Sequence, residues 1–435
     1  MVLPLYLSAQ EYNKYVDSIL ASKFDNGPGV SALISRGFNI EYQNTLGHSN
    51  IELASIITDK SKFRIGSITK QFTAIAILKL QEEGLLSITD TIQRYLPSFP
   101  KKEHPITIEH LLTHTSGLVE LTELDFFTPE FMSYYTAPDT MVNYFKDYPL
   151  KSVPGTIFEY NNSGYHLLGL IIESVSGLYY NEYLKKEILS IAEMNDTDAD
   201  NAHEIIDNRV SGYENSRSGI VNSTLIDMSI PYSGGNLLST PADLNKWYEA
   251  LFTYKIIKKE SLIMAHTPFT LTTGEKTNYG YGWFIGNLQG EPIISHEGGI
   301  NGFLSSVWYV PSSKTLTVLL SNCSCNPTER IARKVTAAAI GLPIAEKKRL
   351  NLSSEILKKY AGTYLMDGEE WTISIEENNL YFQFPNGNGH PIYAESENHF
   401  FAEEWDSKFI FIDTGNGEIE FQFIYLDEKV IGRKN

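Results

Sequence analysis

The spacing of apolar residues changes along the chain from the helical repeat to short strand-forming runs and back. Helical spacing predicts helices over residues 8–24, 67–84, 107–114, 164–175, 240–251 and 327–340. Short aliphatic or aromatic runs between turn residues predict strands over 30–34, 40–46, 281–285, 292–296, 303–310 and 316–321. Because strands stand at both ends of this span and helices lie between them, the pattern predicts an α+β fold, an antiparallel β-sheet flanked by helices.

The end of the chain follows a different pattern. Residues 341–350 contain Pro343 and the basic run Lys347-Lys348-Arg349, which is typical of a linker. Short β-prone segments divided by Gly, Asn and Asp turns follow at 371–375, 380–384, 409–412 and 419–425. The sequence therefore predicts one large domain over residues 1–345 and a separate small all-β domain, a sheet or barrel, over residues 351–435.

The chain is acidic, with 53 acidic against 35 basic residues and a net charge of −18. This charge repels phosphate backbones and anionic lipid headgroups, so nucleic acid is not an expected partner. No run approaches the roughly 18–20 apolar residues that span a bilayer, so no transmembrane segment is predicted. The apolar start, Met1–Ala9, is short and lacks a basic leader, so we do not interpret it as a complete signal peptide.

Cysteine and histidine usage is sparse. The two cysteines, Cys323 and Cys325, are separated by one residue, which is too short a spacing for an unstrained bridge, so no disulfide framework is expected. None of the ten histidines follows them at the spacing of a zinc site. We therefore predict no metal and no other cofactor, and we look for chemistry that side chains perform unaided.

A serine becomes a good nucleophile when a nearby base takes its proton, and Ser67-Ile68-Thr69-Lys70 meets that need. At the start of a helix, residues three apart share a face, so the Lys70 amine is expected to reach the Ser67 oxygen. The positive end of the helix dipole and burial both favour the neutral amine. A second Ser-x-x-Lys, at 98–101, contains Pro100 and is interpreted as an exposed loop. For Ser67 the alternative is a simple helix N-cap.

A phenol and an amide follow in Tyr160-Asn161-Asn162. A phenol near a cation can relay a proton, and an amide can hold both Lys70 and a substrate carbonyl. Four Tyr-x-Asn triplets occur in the chain, so the spacing alone decides nothing. Tyr160 is favoured because it lies on a loop just before a predicted helix. The alternative is a tyrosine that merely packs under that loop.

His296-Glu297-Gly298-Gly299 stands at the end of a predicted strand, and His-x-Gly occurs nowhere else in the chain. Paired glycines allow a backbone to approach a ligand closely. The Gly299 amide is therefore a candidate to join the Ser67 amide in an oxyanion hole. A lone histidine at a strand end is more often structural, and that alternative stays open for His296.

In this order, Ser-x-x-Lys, Tyr-x-Asn and a Lys-or-His-x-Gly strand resemble the motifs of the serine β-lactamase-like family. That family includes class C β-lactamases, penicillin-binding D,D-peptidases, D-aminopeptidases and related esterases. Residues 111–118, 234–240 and 281–283 are also similar to family motifs. The resemblance covers about residues 10–340, and the small C-terminal domain resembles the lipocalin-like domains that some relatives carry.

The resemblance implies roles for particular residues. Ser67 would be the nucleophile, and Lys70 with Tyr160 the general-base pair. Asn162, His296, Gly298 and Gly299 would bind substrate, with the Ser67 and Gly299 amides as oxyanion donors. Family members mostly act outside the cytoplasm, so the resemblance implies a periplasmic or secreted protein, with a cytoplasmic location as the alternative.

The sequence departs from the antibiotic-resistance pattern at the third motif. β-Lactamases and D,D-carboxypeptidases usually carry a lysine there, whose charge helps to bind the substrate carboxylate. Here it is His296, largely neutral near pH 7, and Glu297 beside it adds negative charge. We therefore expect amides or esters, including D-amino-acid peptides, rather than mainly β-lactams. A true β-lactamase or D,D-carboxypeptidase is the alternative.

Three other classes of function are alternatives to this interpretation. A metal hydrolase is suggested by His110 and His114, four apart on a helix, but the activating glutamate of His-Glu-x-x-His is Leu111 here. A non-catalytic peptide or peptidoglycan sensor would keep the pocket without turnover. The absence of a Gly-x-Ser-x-Gly elbow argues against an α/β-hydrolase. Substrate choice is expected to depend on residues 125–148 and 195–229 around the cleft.

Overall fold

The computed structural model describes residues 9–24, 27–216, 218–344, 347–366, 368–384, 389–402, 407–415, 418–425 and 428–434. The chain divides into two units, residues 1–343 and 344–435. The predicted helix start at Ser8, the first residues of the chain and part of the predicted linker lie outside the described residues.

Helices and strands alternate irregularly along the first unit, and strands dominate the second. The helices are α1 (Ala9–Phe24), α2 (Thr69–Glu82), α3 (Ile108–Leu112), α4 (Pro129–Met132), α5 (Pro138–Val142), α6 (Asn162–Ser176), α7 (Tyr180–Leu184), α8 (Pro241–Phe252), α9 (Lys259–Ala265), α10 (Thr328–Ala339) and α11 (Ser354–Tyr360). The strands of the first unit are β1 (Val30–Arg36), β2 (Asn39–Leu46), β3 (His48–Asn50), β4 (Ser55–Ile56), β5 (Phe63–Arg64), β6 (Asp198–Ala199), β7 (Tyr213–Ser216), β8 (Gly219–Asn222), β9 (Leu237–Ser239), β10 (Phe284–Leu288), β11 (Glu291–Ile300), β12 (Phe303–Val310) and β13 (Thr315–Ser321). Those of the second are β14 (Gly362–Met366), β15 (Glu369–Glu376), β16 (Asn379–Gln383), β17 (Gly389–Ala394), β18 (His399–Ala402), β19 (Ser407–Asp413), β20 (Ile419–Tyr425) and β21 (Glu428–Lys434).

The main sheet of the first unit joins the two ends of that unit. Its strands are antiparallel in the order β10-β11-β12-β13-β1-β2. In the centre, Val30 of β1 pairs with Ser321 of β13 and Arg36 with Thr315. Both strands are almost entirely buried, which explains why they read as continuous aliphatic runs rather than alternating ones. Helices α8 and α10 pack against these strands.

The helical part of the first unit surrounds α2. This helix is buried at most positions, from Thr69 to Leu80, and packs against α6. The N-cap Asn161 and the left-handed Gly177 bound α6, as the sequence predicts for its end. Thr240 likewise caps α8, since its side chain accepts a hydrogen bond from the Asp243 nitrogen at 3.2 Å. A helix buried on all sides can carry a polar group into the core.

The second unit is a β-barrel. In the described part of residues 344–435, strands β14 to β21 pair in chain order and close on themselves. Aromatic side chains such as Phe382, Phe409 and Phe421 fill its core, together with Tyr360 of α11. The predicted antiparallel α+β fold with an added small all-β domain is confirmed.

Two further findings bear on the sequence analysis. Cys323 and Cys325 form a disulfide with their Cα atoms 5.1 Å apart, so the expectation that they stay unbridged is wrong. The chain turns after β13, which brings the two Cα atoms within the usual range for a bridge. Among the described helices, none combines the length and the apolar character needed to cross a bilayer.

Candidate active site

Ser67 lies on a one-turn 3-10 helix, Gly66–Ile68, that leads directly into α2. Gly66 has a φ of +51°, and a Cβ there would stand 3.0 Å from the Gly299 backbone nitrogen, so the turn needs a glycine. Both neighbours of Ser67 are buried, whereas Ser67 itself is partly exposed and lines a cavity of the first unit. The turn therefore presents this hydroxyl to a bound molecule.

Lys70 is fully buried, and its amine contacts three oxygen atoms. Nζ lies 3.1 Å from Ser67 Oγ, 2.8 Å from Asn162 Oδ1 and 3.0 Å from the Gly234 carbonyl oxygen. The oxygens of Asn162 and Gly234 can only accept hydrogen bonds, so they take up both N–H groups of a neutral amine. The lone pair of that amine is left facing the Ser67 hydroxyl, which is the arrangement of a general base.

The electrostatic environment favours the neutral amine. Burial lowers the pKa of Lys70 from 10.5 to about 7, and the Coulombic effect of Glu120 opposes that shift. A lysine with its ordinary pKa would be almost fully protonated near pH 7. With a pKa of about 7, a substantial fraction of Lys70 can accept a proton at neutral pH.

Glu120, which no sequence pattern singles out, holds Asn162 in place. Glu120 Oε1 accepts a hydrogen bond from Asn162 Nδ2 at 2.9 Å, and Oε2 accepts one from the Asn162 backbone nitrogen at 2.5 Å. Because the carboxylate holds the amide nitrogen, Asn162 Oδ1 is turned toward Lys70. The signal that could have found Glu120 is an acidic residue two positions after the family-like stretch that ends at Leu118.

Tyr160 lies beside Lys70, with its ring centre 4.9 Å from Nζ. Its hydroxyl is buried near Ser67 without a hydrogen bond of standard geometry among the described residues. Burial raises the pKa of Tyr160, and the Ser67 hydroxyl partly offsets the rise. His114 supports this loop, since its Nδ1 accepts a hydrogen bond from the Asn161 nitrogen at 2.9 Å. The phenol is therefore neutral at pH 7 and suited to relaying a proton.

His296 lies beneath the site rather than on its surface. It is 1% exposed, its Nδ1 lies 2.6 Å from the Glu297 carbonyl oxygen and its Nε2 lies 3.0 Å from the Tyr279 hydroxyl. Nδ1 must donate to the carbonyl, so Nε2 accepts from the phenol. Burial and the Lys70 charge lower the pKa of His296 to about 3. This histidine therefore offers neither a positive charge nor a free nitrogen to a substrate.

The Glu297 side chain does not act on the site as the sequence analysis expects. Neighbouring residues of a strand point to opposite faces, and Glu297 is bonded by the Ser306 hydroxyl and by Trp308 Nε1, the latter at 2.7 Å. Burial raises the pKa of Glu297 well above its usual value. The expectation that Glu297 adds negative charge to the substrate site is corrected accordingly.

The glycine pair brings β11 against the Ser67 turn. A Cβ on Gly298 would lie 2.0 Å from the Ile65 carbonyl oxygen, so only glycine fits there. Strand β10 pairs with β11 only as far as Ser295, so the β11 edge from His296 to Ile300 has no strand partner on that side among the described residues. Gly299 lines the cavity at this edge beside the Ser67 turn. Its position suits an oxyanion donor.

The cavity at Ser67 has a volume of about 170 Å³. Apolar side chains form most of its wall, namely Leu121, Phe127, Met132, Ile226, Ile230 and Ile300. Among the described residues, no lysine, arginine, aspartate or glutamate lines it. Phe127 and Met132 come from the first of the two segments expected to line the cleft, and Ile226 from the second.

His110 and His114 have structural contacts. His110 Nδ1 accepts a hydrogen bond from the Thr107 nitrogen at 3.2 Å and completes the N-terminal cap of α3. His114 holds Asn161 and packs on the Tyr160 ring with centres 4.2 Å apart. Each ring thus supports a neighbouring segment of the chain.

Taken together, a serine at a helix start, a buried lysine one turn along and an antiparallel sheet edge beside them define a class of serine hydrolases. The family model described as Beta-lactamase matches residues 16–342. The chain belongs to this family, and it is a serine hydrolase of the β-lactamase and penicillin-binding-protein type.

Individual relatives agree with the family. The chain is 30% identical to penicillin-binding protein 4* of Bacillus subtilis strain 168 over 411 residues, which are 85% of this chain and 87% of the relative. The octameric penicillin-binding protein homologue from Pyrococcus abyssi has a TM-score of 0.69 and 26% identity, covering 98% of this chain and all of that one. A D-stereospecific amidohydrolase from Streptomyces shares the fold, with a TM-score of 0.66 at 22% identity over 77% of this chain and 99% of its own.

Proposed function

We propose that the chain hydrolyses amide or ester bonds through an acyl-enzyme on Ser67, with Lys70 as the general base. One observation carries this proposal. The Lys70 amine has two fixed acceptors, Asn162 and Gly234, and its third neighbour is the Ser67 hydroxyl. A neutral amine donates its two N–H groups to Asn162 and Gly234 and directs its lone pair at the Ser67 hydroxyl. The lowered pKa of Lys70 makes that neutral form available near neutral pH.

In the proposed reaction, Ser67 Oγ bonds to the substrate carbonyl carbon while its proton passes to Lys70. The Ser67 and Gly299 amides stabilise the negative oxygen of the tetrahedral intermediate. The bond to the leaving amine or alcohol then breaks, and that group takes the proton from Lys70 through the Tyr160 hydroxyl. Water repeats the sequence on the acyl-enzyme, which releases a carboxylic acid and restores Ser67.

The substrates we propose are uncharged at the end that enters the cavity. The apolar wall and the neutral His296 offer nothing to a carboxylate, whereas β-lactams and D,D-peptides present one. Amides and esters, including D-amino-acid peptides, fit better than β-lactams as the main substrates. The second candidate is a β-lactamase or D,D-carboxypeptidase, which the relationship to penicillin-binding protein 4* favours.

A panel of substrates tests the proposal. It contains D-amino-acid anilides, D,D-dipeptides, short acyl esters and a chromogenic cephalosporin, each with wild type and Ser67→Ala. We expect turnover of amides or esters that disappears in Ser67→Ala. Fast cephalosporin turnover would favour the second candidate. A stable adduct without turnover of any substrate would instead indicate a sensor.

A periplasmic or secreted location is part of this proposal. It is supported by the resemblance to penicillin-binding peptidases, whose family acts mostly outside the cytoplasm. We accordingly propose small peptide, amide or ester substrates, including cell-wall peptides, as the binding partners. Recovery of the tagged protein only from the cytoplasmic fraction of its host would contradict the location.

A further inference from the structure

Two segments of the chain, residues 121–132 and 224–234, supply most of the apolar wall of the Ser67 cavity. Phe127 lines the cavity from the first segment and Ile226 from the second, and both are only partly buried. Each therefore leaves apolar surface uncovered by the protein. Such surface is removed from water when an apolar group of a bound molecule covers it, which favours binding.

Hydrogen bonds fix the second segment, residues 224–234, in place. The Asp227 nitrogen donates to the Met132 carbonyl oxygen at 2.8 Å, which ties this segment to the first one. At the end of the segment, the Gly234 carbonyl oxygen accepts a hydrogen bond from Lys70 Nζ at 3.0 Å. The wall is thus connected to the proposed general base, and the size of the cavity beside the nucleophile is set by the fold.

Polar side chains of the wall are bonded to the protein. Thr122 Oγ1 donates to Glu120 Oε1 at 2.8 Å, and Asn301 Nδ2 donates to the Thr224 carbonyl oxygen at 3.1 Å. The amide of Asn162 is bonded at both its oxygen and its nitrogen. A polar substrate group would therefore exchange its bonds to water for few new ones in this cavity, whereas an apolar group loses none.

The volume of the cavity limits the size of that apolar group. At about 170 Å³ it is close to the ~150 Å³ of an engineered apolar cavity that binds benzene. One six-membered ring, or an aliphatic group of that size, therefore fills it.

The position of Tyr160 indicates which part of the substrate enters. In the proposed reaction the leaving group takes its proton through the Tyr160 hydroxyl, and Tyr160 does not line the cavity. Ser67, Asn162 and Gly299 do line it. The leaving group thus departs on the side of Tyr160, and the cavity is left for the part of the substrate that stays bonded to Ser67.

We infer that the cavity binds the side chain of the acyl group and that Phe127 and Ile226 are its specificity-determining residues. The substrate class is an amide or ester whose acyl part carries one apolar side chain of the size of a six-membered ring. This inference rests on the proposed function and narrows its substrates.

A series of esters tests the inference without any variant. The 4-nitrophenyl esters of acetate, phenylacetate, cyclohexylacetate and 1-naphthylacetate share their leaving group. We compare kcat/KM after division by the rate of hydroxide hydrolysis of each ester. Phenylacetate and cyclohexylacetate should exceed acetate by roughly ten- to a hundredfold, the gain from burying an apolar side chain of this size. Naphthylacetate should fall below phenylacetate. Equal values for acetate and phenylacetate would overturn the inference.

Variants assign the preference to the wall. Ile226→Ala and Phe127→Ala enlarge the cavity, so each should raise the ratio of naphthylacetate to phenylacetate by roughly tenfold. Ile191→Ala is the matched control, because Ile191 is also partly buried against the same core but does not line the cavity. Its ratio should equal that of wild type. An unchanged ratio in both wall variants would overturn the assignment.

A second series varies the leaving group alone. Phenyl acetate and 1-naphthyl acetate should show no response to Ile226→Ala, and a response there would place the leaving group in the cavity and overturn the inference. If the esters are hydrolysed through Ser67 without any preference for the acyl side chain, the inference fails and the proposed function stands. If no ester is hydrolysed and no adduct forms on Ser67, both fail.

Discussion

At Lys70 the cost of burying a charge and the demands of catalysis act in the same direction. Among the described residues, no carboxylate lies within ion-pair distance of its amine, and Glu120 is connected to it only through Asn162. A buried ammonium without a direct partner is unfavourable, so the protein holds the amine near its neutral form. The same neutral form is the one that can take the Ser67 proton.

Glu120 provides a prediction about pH. In the proposed mechanism Lys70 works as the neutral amine, so kcat/KM should rise with pH through about 7. Glu120 raises the pKa of Lys70, so Glu120→Gln should move the rising limb to lower pH. The plateau should also fall, by roughly ten- to a hundredfold, because Asn162 loses its fixed orientation. The measurement is the pH profile of ester hydrolysis from pH 5 to 9.

Glu123→Gln is the control for this experiment. Glu123 belongs to the same 3-10 turn region, but its carboxylate is exposed and pairs with Lys151 at 3.5 Å. Its replacement should leave the profile in place. If Glu120→Gln lowers the plateau while the limb stays where it was, Glu120 only supports the fold and does not act on Lys70.

Individual site residues differ in how far sequence reasoning reaches them. Ser67 and Lys70 can be predicted as a pair because residues three apart on one helix turn share a face. Tyr160 and Asn162 can be predicted because they lie where a short loop leads into a helix. Glu120 cannot be predicted in this way, because its partner Asn162 is 42 residues away and no local pattern pairs them. The burial of His296, which changes its role, is likewise set by tertiary contacts.

At the scale of elements, the contact between β11 and the Ser67 turn decides whether the proposed oxyanion donors, the Ser67 and Gly299 amides, lie side by side. Gly298→Ala would place a methyl group 2.0 Å from the Ile65 carbonyl oxygen. Either β11 or the turn must then move, so we expect a large loss of kcat/KM, on the order of a hundredfold, and a lower unfolding temperature. Activity and thermal unfolding of the purified variant measure both effects.

Gly286→Ala in β10 is the matched control for Gly298→Ala. A Cβ there would meet Ile293 at 3.5 Å, an ordinary contact distance, in the same sheet. This variant should keep its activity and nearly all of its stability. Full activity in Gly298→Ala would show that the close approach of β11 is not needed for catalysis.

The elements that sequence patterns predicted are those with strong periodicity. Helices α2, α6, α8 and α10 and the central strands of the sheet are long and buried, so their apolar spacing is clear. The sequence predicts strand β10 over residues 281–285, whereas the structure has it over Phe284–Leu288. The apolar run Tyr281-Gly282-Trp283 suggests an earlier start, but Gly282 has a φ of +87°, which does not continue a strand. Short helices such as α4 and α5 carry too few turns for a periodic signal.

Barrel strands were predicted incompletely for a related reason. Strand β17 contains Pro391, which argues against a strand in sequence reasoning, and β21 contains Gly432 among charged residues. Both nevertheless pair with neighbours because closing the barrel gives each strand two partners. Barrel closure is a property of the whole unit, and no single segment encodes it.

For the whole molecule, buried histidines predict how stability depends on pH. Burial lowers the pKa of His114, His166, His266 and His296 below the usual value. Below about pH 6.5 these histidines bind protons in the unfolded chain but stay neutral in the folded chain. The stability that is present above that pH is therefore lost as the pH falls. The raised pKa of Glu297 acts in the opposite direction but involves one proton.

Urea unfolding of the first unit at several pH values measures this effect. We expect the free energy of unfolding to decrease steeply between pH 6.5 and pH 4.5. His266→Phe should reduce the slope by about 1.4 kcal/mol per pH unit, the value for one proton. His203→Phe, at an exposed site, should leave the slope unchanged. A slope that His266→Phe does not alter would contradict the account of these histidines.

The central claim is that Ser67 is acylated with the help of neutral Lys70. The most direct measurement is peptide mass mapping of the protein after rapid acid quenching of its reaction with a 4-nitrophenyl ester, at pH 6 and pH 8. The account predicts an acyl group on Ser67 that forms faster at pH 8, no acyl group in Ser67→Ala, and at least a hundredfold slower formation in folded Lys70→Met. An acyl group on another residue, or equal rates in wild type and Lys70→Met, would contradict it.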